Sequence, residues 1–169
     1  MVPPAKILII EDDAHIRRLL QATLQRAGHQ VIEADSARQA MALFDIERPD
    51  VVLLDVTMPR LSGLEVCERL KADPATRLTP VVLVTGQSDL QDRLRGIQAG
   101  ADEFLSKPVH PLELRARVAS LTRMKFLIDA LDSAESAFMT LALTIEARDP
   151  STNGHCERLA RRAVALGRV

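Results

Sequence analysis

The stretch Val51-Val52-Leu53-Leu54-Asp55 decides the predicted fold of this chain. Four apolar residues in a row are typical of a strand that helices cover on both faces, and this strand ends at a carboxylate. A second run, Ile7–Ile10, is followed at once by Glu11-Asp12-Asp13. Two further segments end at other reactive groups: Val81–Val84 at Thr85, and Ala101–Ser106 at Lys107. Groups able to hold a cation and a phosphoryl group therefore follow four apolar segments.

Strand and helix patterns alternate from residue 5 to about residue 121. The predicted strands are Ile7–Ile10, Gln30–Ala34, Val51–Leu54, Val81–Val84 and Glu103–Leu105. The predicted helices are Ala14–Ala27, Ser36–Glu47, Leu64–Ala72, Leu90–Ala99 and Pro111–Leu121. This alternation predicts an α/β fold, a doubly wound five-stranded parallel sheet with helices on both faces. In such a sheet the ligand site lies at the carboxyl ends of the strands, where the reactive groups stand.

The amino-acid composition argues against several classes of protein. Hydrophobic residues make up 47% of the chain and charged residues 27%, as in soluble globular proteins. Lys plus Arg number 22 and Asp plus Glu 23, a balance that argues against a nucleic-acid partner. The two cysteines form no CxxC pair, and the sequence shows neither a signal-peptide pattern nor an apolar stretch long enough to span a membrane. We therefore predict a cytoplasmic protein without a membrane partner.

A different pattern begins near residue 122. Apolar residues recur at alternating spacings of four and three, over Leu127, Leu131, Ala134, Phe138, Leu141 and Ile145. This pattern predicts the seam of a coiled coil or of a two-helix packing face. The seam could pack back onto the first domain, but its length favours a homodimer formed through residues 124–148. Its helix could continue directly from the helix predicted over Pro111–Leu121.

The reactive groups indicate phosphoryl transfer at Asp55. A carboxylate can attack a phosphoryl group and form an acyl phosphate. Glu11 and Asp12 would supply oxygen ligands for Mg2+ or Mn2+, which offsets the repulsion between crowded negative groups. Lys107 would pair with phosphate oxygens, and the Thr85 hydroxyl would donate a hydrogen bond to the same group.

Asp55 alone has a simpler interpretation, as a turn or helix-capping residue after a strand. The reactive groups expected beside Asp55, at the ends of the neighbouring strands, favour a phosphoacceptor instead. A haloacid-dehalogenase-like phosphatase would also use a strand-end aspartate, but it places a second aspartate two residues later, where this chain has Thr57. His29 is expected to be a surface or loop residue, and Asp13 to lie in the first turn of a helix.

Together these motifs resemble the receiver domain of two-component response regulators over roughly residues 5–122. The matching segments are Ile7–Asp13, Leu54–Pro59, Gly63, Val84–Gly86, Gly100-Ala101 and Lys107-Pro108. The resemblance implies a flavodoxin-like sheet of strand order 2-1-3-4-5. It also implies a phosphodonor, which would be a sensor histidine kinase, a phosphotransfer protein or a small acyl phosphate.

The same resemblance implies a role for each group. Asp55 would be the phosphoacceptor and a metal ligand, Asp12 the direct metal ligand, and Glu11 an acidic partner that acts mainly through water. The backbone carbonyl of Thr57 would complete the metal site. The other implied roles are a switch hydroxyl, a phosphate-contacting lysine and an aromatic ring that changes rotamer on activation, at Thr85, Lys107 and Phe104.

The segment Glu146–Ala160 resembles the opening of an HD-GYP domain. That family hydrolyses cyclic di-GMP at a metal centre, and His155 matches its first metal-ligand histidine. The other motifs of the family would lie beyond Val169, so we expect no hydrolysis by this chain itself. The expected organisation is a receiver over residues 1–122, a linker helix over 123–148 and an incomplete HD-GYP-like domain over 149–169.

The resulting interpretation is a response regulator that is not itself an enzyme. Mg-dependent phosphorylation of Asp55 would change helix and dimer geometry and so control an attached output, cyclic di-GMP hydrolysis in a longer parent. Two alternatives stay open. One is a non-phosphorylated scaffold that dimerises through its helix, and the other is an HD-GYP phosphodiesterase if the chain continues past Val169.

Overall fold

The structure, a computed structural model, describes residues 3–59, 61–86 and 90–148. Over these residues strands and helices alternate as the sequence predicts. The strands are β1 (Lys6–Ile10), β2 (Gln30–Ala34), β3 (Val51–Asp55), β4 (Val81–Thr85) and β5 (Glu103–Ser106). The helices are α1 (Ala14–Arg26), α2 (Ala37–Glu47), α3 (Gly63–Ala72), α4 (Leu90–Gln98) and α5 (Pro111–Arg148).

The strands form one parallel sheet of order β2-β1-β3-β4-β5, which confirms the predicted fold. β3 lies in the middle, and every one of its residues is buried. β4 is buried over its whole length, and β1 over all but its first residue. Because all strands run in the same direction, their carboxyl ends lie at one edge of the sheet.

Helices cover both faces of this sheet. On one face α1 packs through Leu20 and Leu24, and α5 through Leu114 and Val118. On the other face the buried hydrophobic residues of α2 and α3 are Ala37, Ala40, Phe44, Val66, Cys67 and Leu70. Each central strand contributes side chains to both cores, which explains why its interior has no polar position.

The predicted bounds of the elements differ from the observed ones by one residue at most, except in α5. This helix was expected over Pro111–Leu121 with a direct continuation into the next segment as one option, and it does continue to Arg148. No Gly or Pro interrupts the sequence between Leu121 and Arg148, so nothing in this stretch stops the helix. The linker expected over residues 123–148 and the helix predicted before it are therefore one continuous helix.

His29 lies in the loop before β2, as the expectation of a surface or loop residue allowed, but its side chain is buried. It is 8% exposed, and its Nδ1 accepts a hydrogen bond from the backbone N–H of Ala5 at 3.3 Å. Burial lowers the pKa of His29, because a charged imidazole loses hydration there. A polar residue after Gly28 has the sequence pattern of an exposed turn, so the burial of His29 did not follow from the sequence.

The chain divides into two structural units within α5, after Phe126. In the second unit the seam is exposed: Leu127 by 67%, Leu131 by 70%, Phe138 by 73% and Leu141 by 59%. The side chain of Ile145 and all of residues 149–169, with His155, lie outside the described part. Among the helices that the structure does describe, none combines the length and the apolarity needed to cross a lipid bilayer.

Candidate functional site

Three carboxylates meet where β1 and β3 end. Asp55, the last residue of β3, is 3% exposed, and Glu11, which follows β1, is 1% exposed. Asp12 beside them is exposed. One oxygen from each of these three carboxylates lies within 4.8 Å of the others. The register pairs Ile10 with Leu54 and so sets the two strand ends side by side, which means that the sheet itself creates the cluster.

Lys107 lies against both buried carboxylates. Its Nζ is 2.8 Å from Oε2 of Glu11 and 3.0 Å from Oδ2 of Asp55. Burial raises the pKa of Glu11, and the charge of Asp55 adds to this effect, whereas Lys107 opposes it. Burial also disfavours the charged form of Lys107, but its hydrogen bonds to Glu11 and Asp55 raise its pKa on balance. The ammonium group therefore keeps two carboxylates together that would otherwise repel each other.

The loop between β1 and α1 is held at both of its ends. The backbone N–H of Glu11 donates to the carbonyl of Ala34 in β2 at 3.1 Å. At the other end Asp13 caps α1, since its Oδ1 accepts from the N–H of His15 at 2.7 Å and of Ile16 at 3.1 Å. These hydrogen bonds lower the pKa of Asp13. Asp13, expected in the first turn of the helix, is thus the residue that caps that turn.

The loop after β3 brings backbone groups close to Asp55. The N–H of Thr57 donates to Oδ1 of Asp55 at 3.1 Å. The N–H of Gly63, the first residue of α3, donates to the carbonyl of Val56 at 3.1 Å. A Cβ on Gly63 would overlap the carbonyl oxygen of Asp55, so only glycine fits at this helix start.

Thr85 and Lys107 connect the neighbouring strand ends. Thr85 ends β4 and is buried, one residue beyond Val84, which pairs with Asp55 in the sheet. The carbonyl of Thr85 accepts a hydrogen bond from the N–H of Lys107 at 2.7 Å. The peptide bond between Lys107 and Pro108 is cis. The groups of β3, β4 and the loop after β5 are therefore neighbours at one edge.

Phe104 on β5 is half-buried beside α4. A Cβ on Gly96 of that helix would overlap the ring and would lie 2.8 Å from Cδ1 of Leu83. The Cζ of Arg93 lies 5.8 Å from the ring centroid, within the range of a cation–π contact. Both Thr85 and Phe104 line a cavity of about 220 Å³. The ring thus packs against α4 and faces a space that it shares with Thr85.

The structure brings together six residues that the sequence singled out: Glu11, Asp12, Asp55, Thr57, Thr85 and Lys107. It also reveals Arg17, which the sequence analysis missed, with its guanidinium on the carbonyls of the acidic loop. The available signal was a basic residue one turn into a helix that follows acidic residues. The close approach of Gly96 to Phe104 was missed as well, because it depends on distances that no sequence pattern reports.

Known proteins with a similar sequence or fold include response regulators. The sequence matches the response regulator receiver domain over residues 7–119. Among solved structures, it is similar to the chemotaxis response regulator CheY4 of Vibrio cholerae, with a TM-score of 0.67 and 30% sequence identity. That similarity covers 70% of this chain and 99% of CheY4.

Curated relatives are longer than this chain. It is 43% identical over 133 residues to the response regulator PleD of Caulobacter vibrioides, which is 79% of this chain and 29% of PleD. It is 37% identical over 117 residues to the phosphate regulon transcriptional regulatory protein PhoB of Pseudomonas aeruginosa, which is 69% of this chain and 51% of PhoB. The chain therefore spans less than a third of one relative and about half of the other.

Proposed function

The chain belongs to the response regulator receiver family, and from this premise we propose that it is a signalling switch that accepts a phosphoryl group on Asp55. The observation that carries the proposal is the position of Lys107, 2.8 Å from Glu11 and 3.0 Å from Asp55 in a buried cluster. Phosphoryl transfer to a carboxylate depends on charge neutralisation and alignment, and the groups that supply both stand beside Asp55.

The donor set fits a hard divalent cation, Mg2+ or Mn2+. Three carboxylates offer oxygen atoms within 4.8 Å of one another, and Mg2+ prefers oxygen donors. Asp12 and Asp55 would hold the ion directly, Glu11 would act mainly through water, and the carbonyl of Thr57 would complete the site. When bound, the cation neutralises negative charge on the carboxylates and on the phosphoryl oxygens.

Asp55 acts as the nucleophile. One of its carboxylate oxygens forms a bond to phosphorus, while the bond between phosphorus and the donor breaks. The donor atom is an imidazole nitrogen in a phosphohistidine or an oxygen in an acyl phosphate, and it keeps the electron pair of the broken bond. The product is an acyl phosphate on Asp55. Because the carboxylate form is itself the nucleophile, the step needs no general base.

Lys107 and Thr85 respond to the new charge. Lys107, paired with Glu11 and Asp55 in this structure, pairs with phosphoryl oxygens instead. The Thr85 hydroxyl donates a hydrogen bond to the same group, and its movement changes the lining of the cavity beside Phe104. Phe104 has no hydroxyl group, so its response is a steric repacking of the ring.

The proposed phosphodonor is a sensor histidine kinase or a phosphotransfer protein. A groove of about 410 Å³ lies beside Lys107, and apolar side chains such as Ile16, Leu19 and Val109 line it. Leu19 is 49% exposed although it is apolar. Apolar surface next to the phosphorylation site offers contact area to a donor protein, which a small acyl phosphate would not use.

Intact mass spectrometry tests the phosphoacceptor. We expect one added phosphoryl group on the wild-type chain after incubation with Mg2+ and acetyl phosphate, and none on Asp55→Asn. Asp45→Asn removes an exposed carboxylate from α2 and is the matched control, which should be labelled like the wild type. Equal labelling of Asp55→Asn would contradict the proposal. So would a wild-type chain that accepts no phosphoryl group from acetyl phosphate or from phosphohistidine proteins.

The proposed organisation is a receiver over residues 1–122, a linker helix over 123–148 and the start of an output domain over 149–169. We propose that the linker forms a homodimer through residues 124–148. The exposed seam supports this proposal, since Leu131 is 70% and Phe138 is 73% exposed, and the same seam of a second copy would cover them. Phosphorylation would change the geometry of this dimer.

The proposed output is cyclic di-GMP hydrolysis by an HD-GYP domain. The support is the similarity of Glu146–Ala160 to the opening of that family, in which His155 matches a metal-ligand histidine. The nucleotide sequence of the gene beyond the codon for Val169 tests it. A His-Asp pair followed by a Gly-Tyr-Pro motif would support this output, and a reading frame without them would contradict it.

A non-phosphorylated scaffold is the second candidate, and the exposed seam is the observation that favours it. A scaffold would form the same dimer in the wild type and in Asp55→Asn, whether or not a phosphodonor is present. Sedimentation that changes with acetyl phosphate only in the wild type would exclude the scaffold.

A further inference from the structure

We propose that Arg17 is a positioning residue for the metal site, holding the loop that carries Glu11 and Asp12 in its cation-binding conformation. This inference rests on the proposed function, because it concerns the same site. Arg17 lies in the first turns of α1 and is positively charged, like the cation itself. It would act through the backbone of the loop, not as a ligand.

Arg17 contacts two consecutive backbone carbonyls of the loop. Its Nη1 donates to the carbonyl oxygen of Glu11 at 2.6 Å and to that of Asp12 at 3.3 Å. These two carbonyls belong to adjacent residues whose side chains are two of the three acidic groups of the site. Fixing both carbonyls restrains φ and ψ of Asp12, and so the direction in which its carboxylate leaves the chain relative to Glu11.

The guanidinium group is in turn anchored to the sheet. Its Nε lies 3.4 Å from Oε2 of Glu33 in β2, and the Arg17 side chain is 18% exposed. The other carboxylate oxygen of Glu33 accepts a hydrogen bond from Nε2 of Gln21 at 2.5 Å. Glu33 pairs with Ile9 in the sheet register. The planar guanidinium group has several N–H donors and can contact Glu33 and both loop carbonyls at once. The ammonium group of a lysine cannot do this.

The change in Mg2+ affinity distinguishes a positioning role of Arg17 from an effect of its charge, because the two would change the affinity in opposite directions. Removal of a positive charge near a cation site would by itself strengthen cation binding. Removal of the group that orients the loop would weaken it, and groups that orient metal ligands typically change affinity about 10- to 100-fold. We therefore expect Arg17→Met to bind Mg2+ about ten-fold more weakly than the wild type.

The matched control is Arg18→Met, which removes the same charge from the neighbouring, exposed position of α1. Isothermal titration of each full chain with MgCl2, without phosphodonor, measures the affinity. The chain has no tryptophan whose quenching could report the metal, so calorimetry is the suitable method. Arg18→Met should bind Mg2+ as the wild type does or slightly more tightly. Arg17→Lys should fall between the wild type and Arg17→Met.

A merely structural role would have a different signature. It would lower the midpoint of urea unfolding in EDTA and leave the Mg2+ affinity of the folded protein unchanged. Equal affinities for Arg17→Met and Arg18→Met would overturn the inference. If Arg17→Met does not fold, Arg17→Lys provides the test. A wild-type Mg2+ affinity in Arg17→Lys would also overturn the inference. A wild-type chain that binds no Mg2+ would instead overturn the proposed metal site.

Discussion

At the scale of single residues, Lys107 determines whether two buried carboxylates can share one site. Glu11 is 1% and Asp55 3% exposed, and the Lys107 side chain is 20% exposed, so water screens this group of charges only weakly. Breaking a buried ion pair by removing one partner is costly, because the remaining charge keeps its desolvation penalty. The stability of the metal-free protein should therefore depend on this lysine.

We predict that Lys107→Met lowers the free energy of unfolding in EDTA by about 3 kcal/mol. Saturating Mg2+ should recover most of this loss, since the cation supplies the missing positive charge. Urea denaturation with and without Mg2+ measures both effects. In the Asp55→Asn background the same substitution should cost much less, because one of the two carboxylates is gone. A Lys107→Met chain as stable as the wild type in EDTA would show that the pair is not a significant source of stability.

At the scale of elements, two helices approach their neighbours at glycines. Gly63 brings the first turn of α3 onto the carbonyl of Asp55, and Gly96 brings α4 onto the ring of Phe104. Gly96 lies within a helix, where glycine is unfavourable by about 1 kcal/mol relative to alanine. Its presence there is explained by the space that the Phe104 ring occupies.

We predict that Gly96→Ala is destabilising in spite of the better helix propensity of alanine. Overpacking of a core typically costs about 1 to 3 kcal/mol, against a gain in propensity of about 1 kcal/mol. In the Phe104→Ala background the ring is absent, so the cost of Gly96→Ala should fall by about 1 kcal/mol. A double-mutant cycle by urea denaturation measures this coupling. Additive effects of the two substitutions would show that ring and helix are not coupled.

The elements themselves could be predicted from the sequence because β1, β3 and β4 each contain four consecutive apolar residues, and strand patterns alternate with amphipathic stretches. Such a run has no alternative exposed face, so the parallel sheet and the edge that carries the reactive groups follow from pattern, whereas the strand order was implied by the resemblance to receiver domains. The grouping of Glu11, Asp55 and Lys107 followed from that edge. Arg17, Gly96 and the burial of His29 did not, because each depends on a distance between elements that a periodic pattern does not contain.

At the scale of the whole molecule, the two units within the chain differ in how their apolar residues are covered. The receiver unit buries its aliphatic residues in two cores, one on each face of the sheet. The described seam residues of the second unit are exposed along α5, and several are large and apolar. Sustained exposure of such a stripe is unfavourable in water, so we expect a second copy of the chain to cover it.

We predict that Leu131→Asp combined with Phe138→Asp gives a monomer that still accepts a phosphoryl group on Asp55. The aspartates would place buried charges in the seam of the dimer, where they have no partner. The matched control, Ser133→Asp with Ser136→Asp, adds the same charges to exposed positions of the same helix outside the seam and should remain a dimer. Sedimentation velocity over a range of concentrations measures both. A dimeric double mutant, or a monomeric wild type, would contradict the prediction.

The position of Phe104 has a practical consequence because the chain contains neither tryptophan nor tyrosine. A Phe104→Trp chain would hold a single indole fluorophore, beside Arg93 and next to the cavity that Thr85 lines. Its emission would come from this one place, with no contribution from other indole or phenol groups. The wavelength and intensity of that emission would then follow the polarity around the ring in solution, without an attached dye.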